Sequence, residues 1–274
     1  MCACRTDGKP IHFLIRAHMD RLLEATARAE RDHFWFHGFR RFVQPILANA
    51  VKNRPNAAIL DCGCGTGHNL TMLRTYGHAC GIDITWSGLA YARARGERQV
   101  ARASATSLPF PAGVFDLVTS FDVLYSLERA DEQAAVAEMF RLTRPGGCVL
   151  INVAAMDVLR GDHSILSHEV RRYTRETLGR LVTGGGFTIE RMTYTNATLF
   201  LPMAAVRTLH RRRGLSGEAD AKQEISVPAG PINAVMSGAL FLESAWLRWF
   251  DCPFGSSLLC LARKPAREPS ATGT

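Results

Sequence analysis

The sequence predicts an open α/β fold, a doubly wound sheet of mostly parallel strands with helices on both faces. Three observations support it. The apolar run 59–62 ends in glycines at alternate positions, and a helical pattern begins at His68. A second short apolar run ends in an acid at Asp83, 22 residues after Asp61. A third ends at Phe121 before another helical pattern. Strands that alternate with helices in this way are typical of a parallel sheet.

The glycine-rich segment after the first strand has the properties of a ligand-binding site. Gly63, Gly65 and Gly67 allow a close approach of a ligand to the backbone and permit positive φ angles. The helix that starts at His68 leaves unpaired N–H groups and a partial positive charge at that point. Asp61 lies near the carboxyl end of the strand, where ligands bind in this class of fold.

The segment 59–67, Ile-Leu-Asp-Cys-Gly-Cys-Gly-Thr-Gly, resembles the first motif of class I S-adenosylmethionine-dependent methyltransferases, of the type 11 or UbiE-like superfamily. Its spacing is G-x-G-x-G and not the G-x-G-x-x-G of dinucleotide dehydrogenases. Three more segments match in order: 79–84, 103–118 and 144–147. The resemblance covers residues 57–153 specifically. It implies a seven-stranded Rossmann-like sheet with an antiparallel last strand, and S-adenosylmethionine as cofactor.

The resemblance also implies the residues that hold the cofactor. Asp83 would accept hydrogen bonds from both ribose hydroxyls. Ser104 stands where many members carry an acid that binds the adenine amino group, and a serine accepts more weakly than a charged group. The implied cofactor site comprises Asp61, Gly63, Gly65, Gly67, Asp83, Ile84, Ser104, Ala105 and Phe121.

A polar loop after the fifth predicted strand is expected to overhang the same edge of the sheet. We predict His163 and His168 as catalytic residues that take a proton from the acceptor, since imidazole titrates near neutrality. Arg171 and Arg172 would bind an anionic group of the substrate. The alternative is a structural role, in which Arg172 and Tyr173 dock the next helix.

The end of the fourth predicted strand supplies further candidates. Many members of the family have a histidine where Ser126 stands, which leaves Asp122 and Tyr125 as polar groups there. We predict Tyr125 as a substrate contact, with an aromatic of the core or rim as the alternative.

The chain divides into three parts on its pattern of apolar residues. Residues 1–56 form an N-terminal helical arm, whose aromatic segment 33–43 is either a lid over the cofactor or an anchor to the core. Residues 57–263 form the methyltransferase domain, and 264–274 a disordered tail. A helical insertion at about 197–255 is expected to cover the acceptor. Its alternatives are a contact in a homodimer or a peripheral contact with a membrane.

Composition limits the class of protein and of partner. The 274 residues carry a net charge of +8 and 47% hydrophobic residues, which suits one large domain with an appendage. The eight cysteines show neither a disulfide pattern nor metal-ligand spacing, so we expect a reducing compartment and no metal. Residues 1–10 lack the apolar core of a signal peptide. We therefore expect a cytoplasmic protein, with peripheral membrane contact as the variant, and no nucleic-acid partner.

The predicted function is methyl transfer from S-adenosylmethionine to a small or mid-sized acceptor such as a natural product, a lipid-linked compound or a metabolite. Two alternatives remain at this point. One is a binding protein that keeps the fold without turnover, which the replacements Ser104 and Ser126 favour slightly. The other is a nucleotide-dependent oxidoreductase, which the glycine spacing disfavours.

Overall fold

The computed structural model of the chain describes residues 11–157, 169–200 and 227–266, with side chains from Asp20 onward. The helices in these ranges are α1 Ile11–Ala29, α2 Phe34–Val51, α3 His68–Leu73, α4 Trp86–Ala94, α5 Arg129–Leu142, α6 Arg175–Gly184 and α7 Gly230–Trp246. The strands are β1 Ala57–Cys62, β2 Gly77–Asp83, β3 Val100–Arg102, β4 Phe115–Phe121, β5 Thr143–Ala154, β6 Thr188–Thr195 and β7 Ser257–Arg263.

The strands form one seven-stranded sheet in the order β3-β2-β1-β4-β5-β7-β6. The pairs β1/β2, β1/β4, β2/β3 and β4/β5 are parallel. Strand β7 is antiparallel to both β5 and β6. The predicted sheet, with its antiparallel last strand, is confirmed. The order reverses direction between β1 and β4, and such a switch point leaves a crevice at the carboxyl ends of the strands.

One predicted turn is wrong. In the fourth matching segment, Arg-Pro-Gly-Gly at 144–147, the sequence predicts that Pro145 ends the helix and that the glycines form a tight reversal before the fifth strand. The structure differs, because β5 begins at Thr143 and includes this segment. Two contacts hold the segment in the sheet. Arg144 Nη1 donates to Asp116 Oδ2 at 2.9 Å, and Gly146 N–H donates to the carbonyl of Lys264 at 2.9 Å. A register irregularity between Phe115 and Leu117 accommodates this start.

Helix α2 of the arm packs on the sheet and is in turn covered by α7. The face of α2 toward the core is apolar and buried; it includes Phe39, Phe42, Val43 and Leu47. Residues 201–226 of the predicted insertion lie outside the described ranges, and α7 is the helix of the insertion that the structure describes in full. No described helix combines the length and the apolar character needed to cross a membrane.

The predicted disordered tail begins too early, because Lys264 is anchored. Its ammonium donates to the carbonyl oxygens of Phe140, at 2.6 Å, and Thr143, at 2.9 Å. Residues 267–274 lie outside the described ranges.

Two glycines in helices test the contact between α2 and α7. A Cβ on Gly38 would lie 2.4 Å from Leu240 Cδ1, whereas a Cβ on Gly238 would meet nothing within 4 Å. We expect Gly38→Ala to lower the free energy of unfolding by about 1–3 kcal/mol through overpacking. Gly238→Ala should raise it by up to about 1 kcal/mol, the usual gain in helix propensity. Urea unfolding measures both, and equal stabilisation by the two variants would contradict the close packing.

Candidate functional site

A cavity of about 650 Å³ opens at the carboxyl ends of β1, β2 and β4. This volume is within the ~300–1,000 Å³ range of small-molecule sites. Its wall comes from the glycine turn after β1, the ends of β2, β4 and β5, the arm helices and α7. The cavity thus lies at the switch point of the sheet, where an open α/β fold binds its ligands.

The glycine turn and Asp83 form one side of this cavity and are bonded to each other. Gly63 and Gly65 line the wall with φ angles of 88° and 49°. A Cβ on Gly63 would lie 2.2 Å from Val123 Cγ2, so a side chain there is excluded. The N–H of Gly65 donates to Asp83 Oδ2 at 2.8 Å. This bond fixes the turn after β1 against the end of β2.

The Asp83 carboxylate retains acceptor capacity toward the cavity. Its Oδ1 accepts from the N–H of Thr85 at 2.8 Å and from the Thr85 hydroxyl at 2.6 Å. Thr85 precedes α4, but its hydroxyl bonds to Asp83 and does not cap that helix. A carboxylate offers about four lone pairs, so three donors leave one for a ligand hydroxyl. A second hydroxyl would replace that of Thr85.

The rest of the implied adenosine site lies on the same wall. Ile84, Ser104, Ala105 and Phe121 all line the cavity. The Ser104 hydroxyl is 2.8 Å from the Thr106 hydroxyl, with which it shares a hydrogen bond. The hydroxyl of Ser104 is therefore only partly available to form a hydrogen bond with an adenine.

Asp61 and Gly67 are not among the residues that line the cavity. Asp61 is buried, and its Oδ1 accepts from the Thr119 hydroxyl at 2.8 Å. Burial, with a smaller contribution from the charge of Asp83, raises the pKa of Asp61 to about 7. A Cβ on Gly67 would lie 2.8 Å from Ala92 Cβ of α4. Both residues support the wall from behind, and contact of either with a ligand stays a prediction.

Aromatic side chains of the arm form the opposite wall. Phe34, Trp35, Phe36 and Phe39 all line the cavity. The rings of Trp35 and Phe39 stack with their centroids 5.9 Å apart, and Phe39 meets Phe121 edge to face at 5.0 Å. Phe34 and Phe39 are buried in the core, so the segment serves as anchor and as cavity wall at once.

A buried acid ties the end of α1 to the glycine turn. The Thr66 hydroxyl donates to Glu30 Oε2 at 2.7 Å, and Arg95 forms an ion pair with the same carboxylate. Burial raises the pKa of Glu30, and these partners oppose that shift. His33, at the start of α2, accepts from the N–H of Trp35 at 3.1 Å; burial lowers its pKa to about 4, so it stays neutral. The arm is therefore fixed over the turn by polar contacts.

Asp122, to which the sequence analysis gave no role, is a cavity residue. It follows β4 with a φ of 61°, a conformation that is uncommon outside glycine, and its side chain lines the cavity. Asn152 Nδ2 donates to its Oδ1 at 2.9 Å. Burial raises the pKa of Asp122 to about 7. Its position directly after the fourth strand, at the switch point, was the signal in the sequence.

The predicted acceptor residues separate in the structure. Tyr125 and Arg172 line the cavity, but Arg171 does not. Arg171 Nη1 pairs with Glu132 Oε2 at 2.6 Å, which fits the structural alternative for this loop. Arg172 Nη2 donates to Glu169 Oε2 at 3.0 Å, so its charge is already paired. The predicted catalytic residues His163 and His168 lie outside the described residues.

Residues 60–151 match the family described as "Methyltransferase domain". Demethylmenaquinone methyltransferase of Mycobacterium tuberculosis is 36% identical over 116 residues, which are 42% of this chain and 48% of that protein. The chain spans about half the length of the curated relatives it matches.

Two solved structures show the same fold. One is phosphoethanolamine N-methyltransferase 2 of Haemonchus contortus in complex with S-adenosyl-L-methionine, with a TM-score of 0.58 and 18% identity over 95% of this chain and 61% of that one. The other is the [4+2]-cyclase SpnF, with a TM-score of 0.52 and 23% identity over 82% of this chain and 81% of that one. Residues 60–151 therefore match a methyltransferase domain, and the two likenesses show that the chain has the fold of these structures.

Proposed function

We propose that this chain transfers a methyl group from S-adenosylmethionine to a small or mid-sized acceptor. One observation carries the proposal: the glycine turn and the Asp83 carboxylate are joined by a hydrogen bond and face one cavity. The matching family and the fold support the same reaction. Substrate and turnover are inferences, because the chain matches only part of its curated relatives.

The residues present fit the adenosyl group. Asp83 offers an acceptor site for a ribose hydroxyl, and the side-chain-free backbone of Gly63 and Gly65 admits a ligand at close range. Ile84 is 59% exposed and presents an apolar surface beside Ser104 on which a base can lie. The adenine is thus expected to be held mainly by apolar contact and backbone groups, with the Ser104 hydroxyl as a weak polar contact.

The cofactor supplies a methyl group on a sulfonium, which is already a good leaving group. The protein must therefore orient the acceptor, keep it in line and exclude water. The aromatic wall of Phe34, Trp35, Phe36 and Phe39 meets these needs, because it is apolar and tied to the core. This wall favours an acceptor with a substantial apolar part.

Asp122 is the described residue best placed to accept a proton from an acceptor hydroxyl or amine. It lines the cavity, and the hydrogen bond from Asn152 occupies its Oδ1. With a pKa of about 7 the carboxylate can take up and release a proton near neutrality. His163 and His168 stay alternative predictions for the same role.

A second candidate function is ligand binding, or another reaction, without methyl transfer. One observation supports it. SpnF, a [4+2]-cyclase, has this fold. Formation of S-adenosylhomocysteine by the purified chain with phenol, amine and hydroquinone acceptors discriminates between the two. The oxidoreductase alternative is set aside by the match to the methyltransferase family.

Asp83→Ala should weaken binding of S-adenosylmethionine at least tenfold, because the variant removes the acceptor for the ribose and frees the Gly65 N–H. Titration calorimetry of the full chain measures the affinity. Asp131→Ala, an exposed acid in the first turn of α5, is the matched control and should bind as the parent does. Unchanged affinity in a folded Asp83→Ala protein would remove Asp83 from the site.

Asp122→Asn should reduce the pH dependence of stability. The carboxyl has a raised pKa in the folded state, so the stability it contributes is complete at low pH and is lost as pH rises through about 7. Between pH 5 and 7 this one group would lower the free energy of unfolding by about 2 kcal/mol. Asparagine keeps the acceptor for Asn152 and tolerates the positive φ.

Urea unfolding at pH 5, 6, 7 and 8 measures the difference between parent and variant. Asp61→Asn provides a comparison, because the pKa of Asp61 is also about 7 but its side chain does not line the cavity. Adding S-adenosylmethionine should alter the Asp122 contribution more than that of Asp61. Parallel pH profiles of parent and Asp122→Asn would show that Asp122 is ionised throughout and does not titrate near neutrality.

A further inference from the structure

Helix α7 presents its polar residues, together with Met236 and Leu240, to the protein, and several large apolar residues to the outside. Asn233 Oδ1 accepts from the N–H of Phe34 at 2.9 Å, and its Nδ2 donates to the carbonyl of Asp32 at 2.8 Å. Glu243 is buried and accepts from the N–H groups of Ala197 and Thr198, both at 2.9 Å. On an ordinary surface helix of a globular protein, the exposed face is polar.

The outward side of α7 and the turn after it form one apolar surface. Val235 is 74% exposed, Leu242 69% and Trp249 82%. We call this surface the outer face of α7; it consists of Ile232, Val235, Phe241, Leu242, Trp246, Trp249 and Phe250. A surface with this many large, exposed apolar residues is typical of a site that contacts a partner or a membrane.

Two arginines lie at the outer face. Among the exposed residues from 230 to 250, Arg248 is the one charged side chain. The guanidinium carbon of Arg41 lies 5.2 Å from the centroid of the Phe241 ring. Within the described chain, neither arginine forms an ion pair with a carboxylate. The nearest acid in sequence, Asp251, is paired with Arg191 at 2.8 Å.

We propose that the outer face of α7 binds the surface of an anionic lipid bilayer. The C-terminal end of this face carries three aromatic side chains, Trp246, Trp249 and Phe250. Such side chains suit the boundary between lipid headgroups and acyl chains. Arg41 and Arg248 flank the aromatics where lipid phosphates would lie. The net charge of +8 adds a general attraction to such a surface. The helix would lie in the plane of the interface and not cross it.

A second copy of the chain is the other occupant that this surface could take. A twofold contact would bring the outer faces of two copies together, so each copy would add Arg41 and Arg248 to an interface whose other residues are apolar. Phosphate headgroups carry the negative charge that complements these arginines, whereas the residues of the outer face carry none. The charge around the outer face therefore favours the bilayer, and dimerisation is an outcome that the experiment must detect.

The test is sedimentation of the full chain with vesicles of phosphatidylcholine, with and without phosphatidylglycerol. We expect binding to the anionic vesicles that weakens as salt is raised. Val235→Glu and Trp249→Glu should each reduce the bound-to-free ratio at least tenfold. Trp86→Glu is the matched control, because Trp86 is 51% exposed on α4, and should bind vesicles as the parent does.

Two results would overturn the proposal. One is that the parent does not bind anionic vesicles, or that Val235→Glu and Trp249→Glu bind as well as Trp86→Glu does. The other is a dimer, found by light scattering, that both α7 variants separate. Titration calorimetry measures whether the same variants still bind S-adenosylmethionine and are therefore folded. The vesicle test does not depend on methyl transfer, so the two proposals can fail separately.

Discussion

The hydrogen bond from the Gly65 N–H to Asp83 Oδ2 is the contact on which the site depends. It joins the turn after β1 to the end of β2, so two neighbouring strands present one continuous surface to the cavity. The same carboxylate receives the N–H of Thr85 and thereby sets the start of α4. A single acid thus orders three connections at the switch point and still faces the cavity, where an adenosyl ligand is proposed to bind.

Local patterns predicted most of the central sheet because each motif is contained within a few neighbouring residues. The glycine turn, the acid at the end of β2 and the start of α3 at His68 are each marked in the sequence by a short run of residues. The turn expected at 144–147 failed for the opposite reason. Arg144 and Gly146 are held by Asp116 and Lys264, which are distant in sequence, and these contacts extend β5 through the glycines.

Side-chain positions around the cavity were harder to predict, because they depend on neighbours that the sequence does not place together. Asp61 and Asp122 both follow or end apolar strands, yet Asp61 turns to Thr119 in the sheet and Asp122 turns to the cavity. The position of Asp122 after β4 was visible in the sequence, but its positive φ was not. Likewise, the polar residues of α7 find their partners in the arm and after β6.

Asn233 is bonded to the backbone at Asp32 and Phe34, and Met236 on the same helix lines the cavity. These hydrogen bonds connect the start of the aromatic wall to α7. Widening the cavity on that side therefore requires the bonds to break or α7 to move with the arm. If a partner that immobilises α7 lowers the affinity of the cavity for its acceptor, a bound acceptor must weaken the binding of that partner by the same factor.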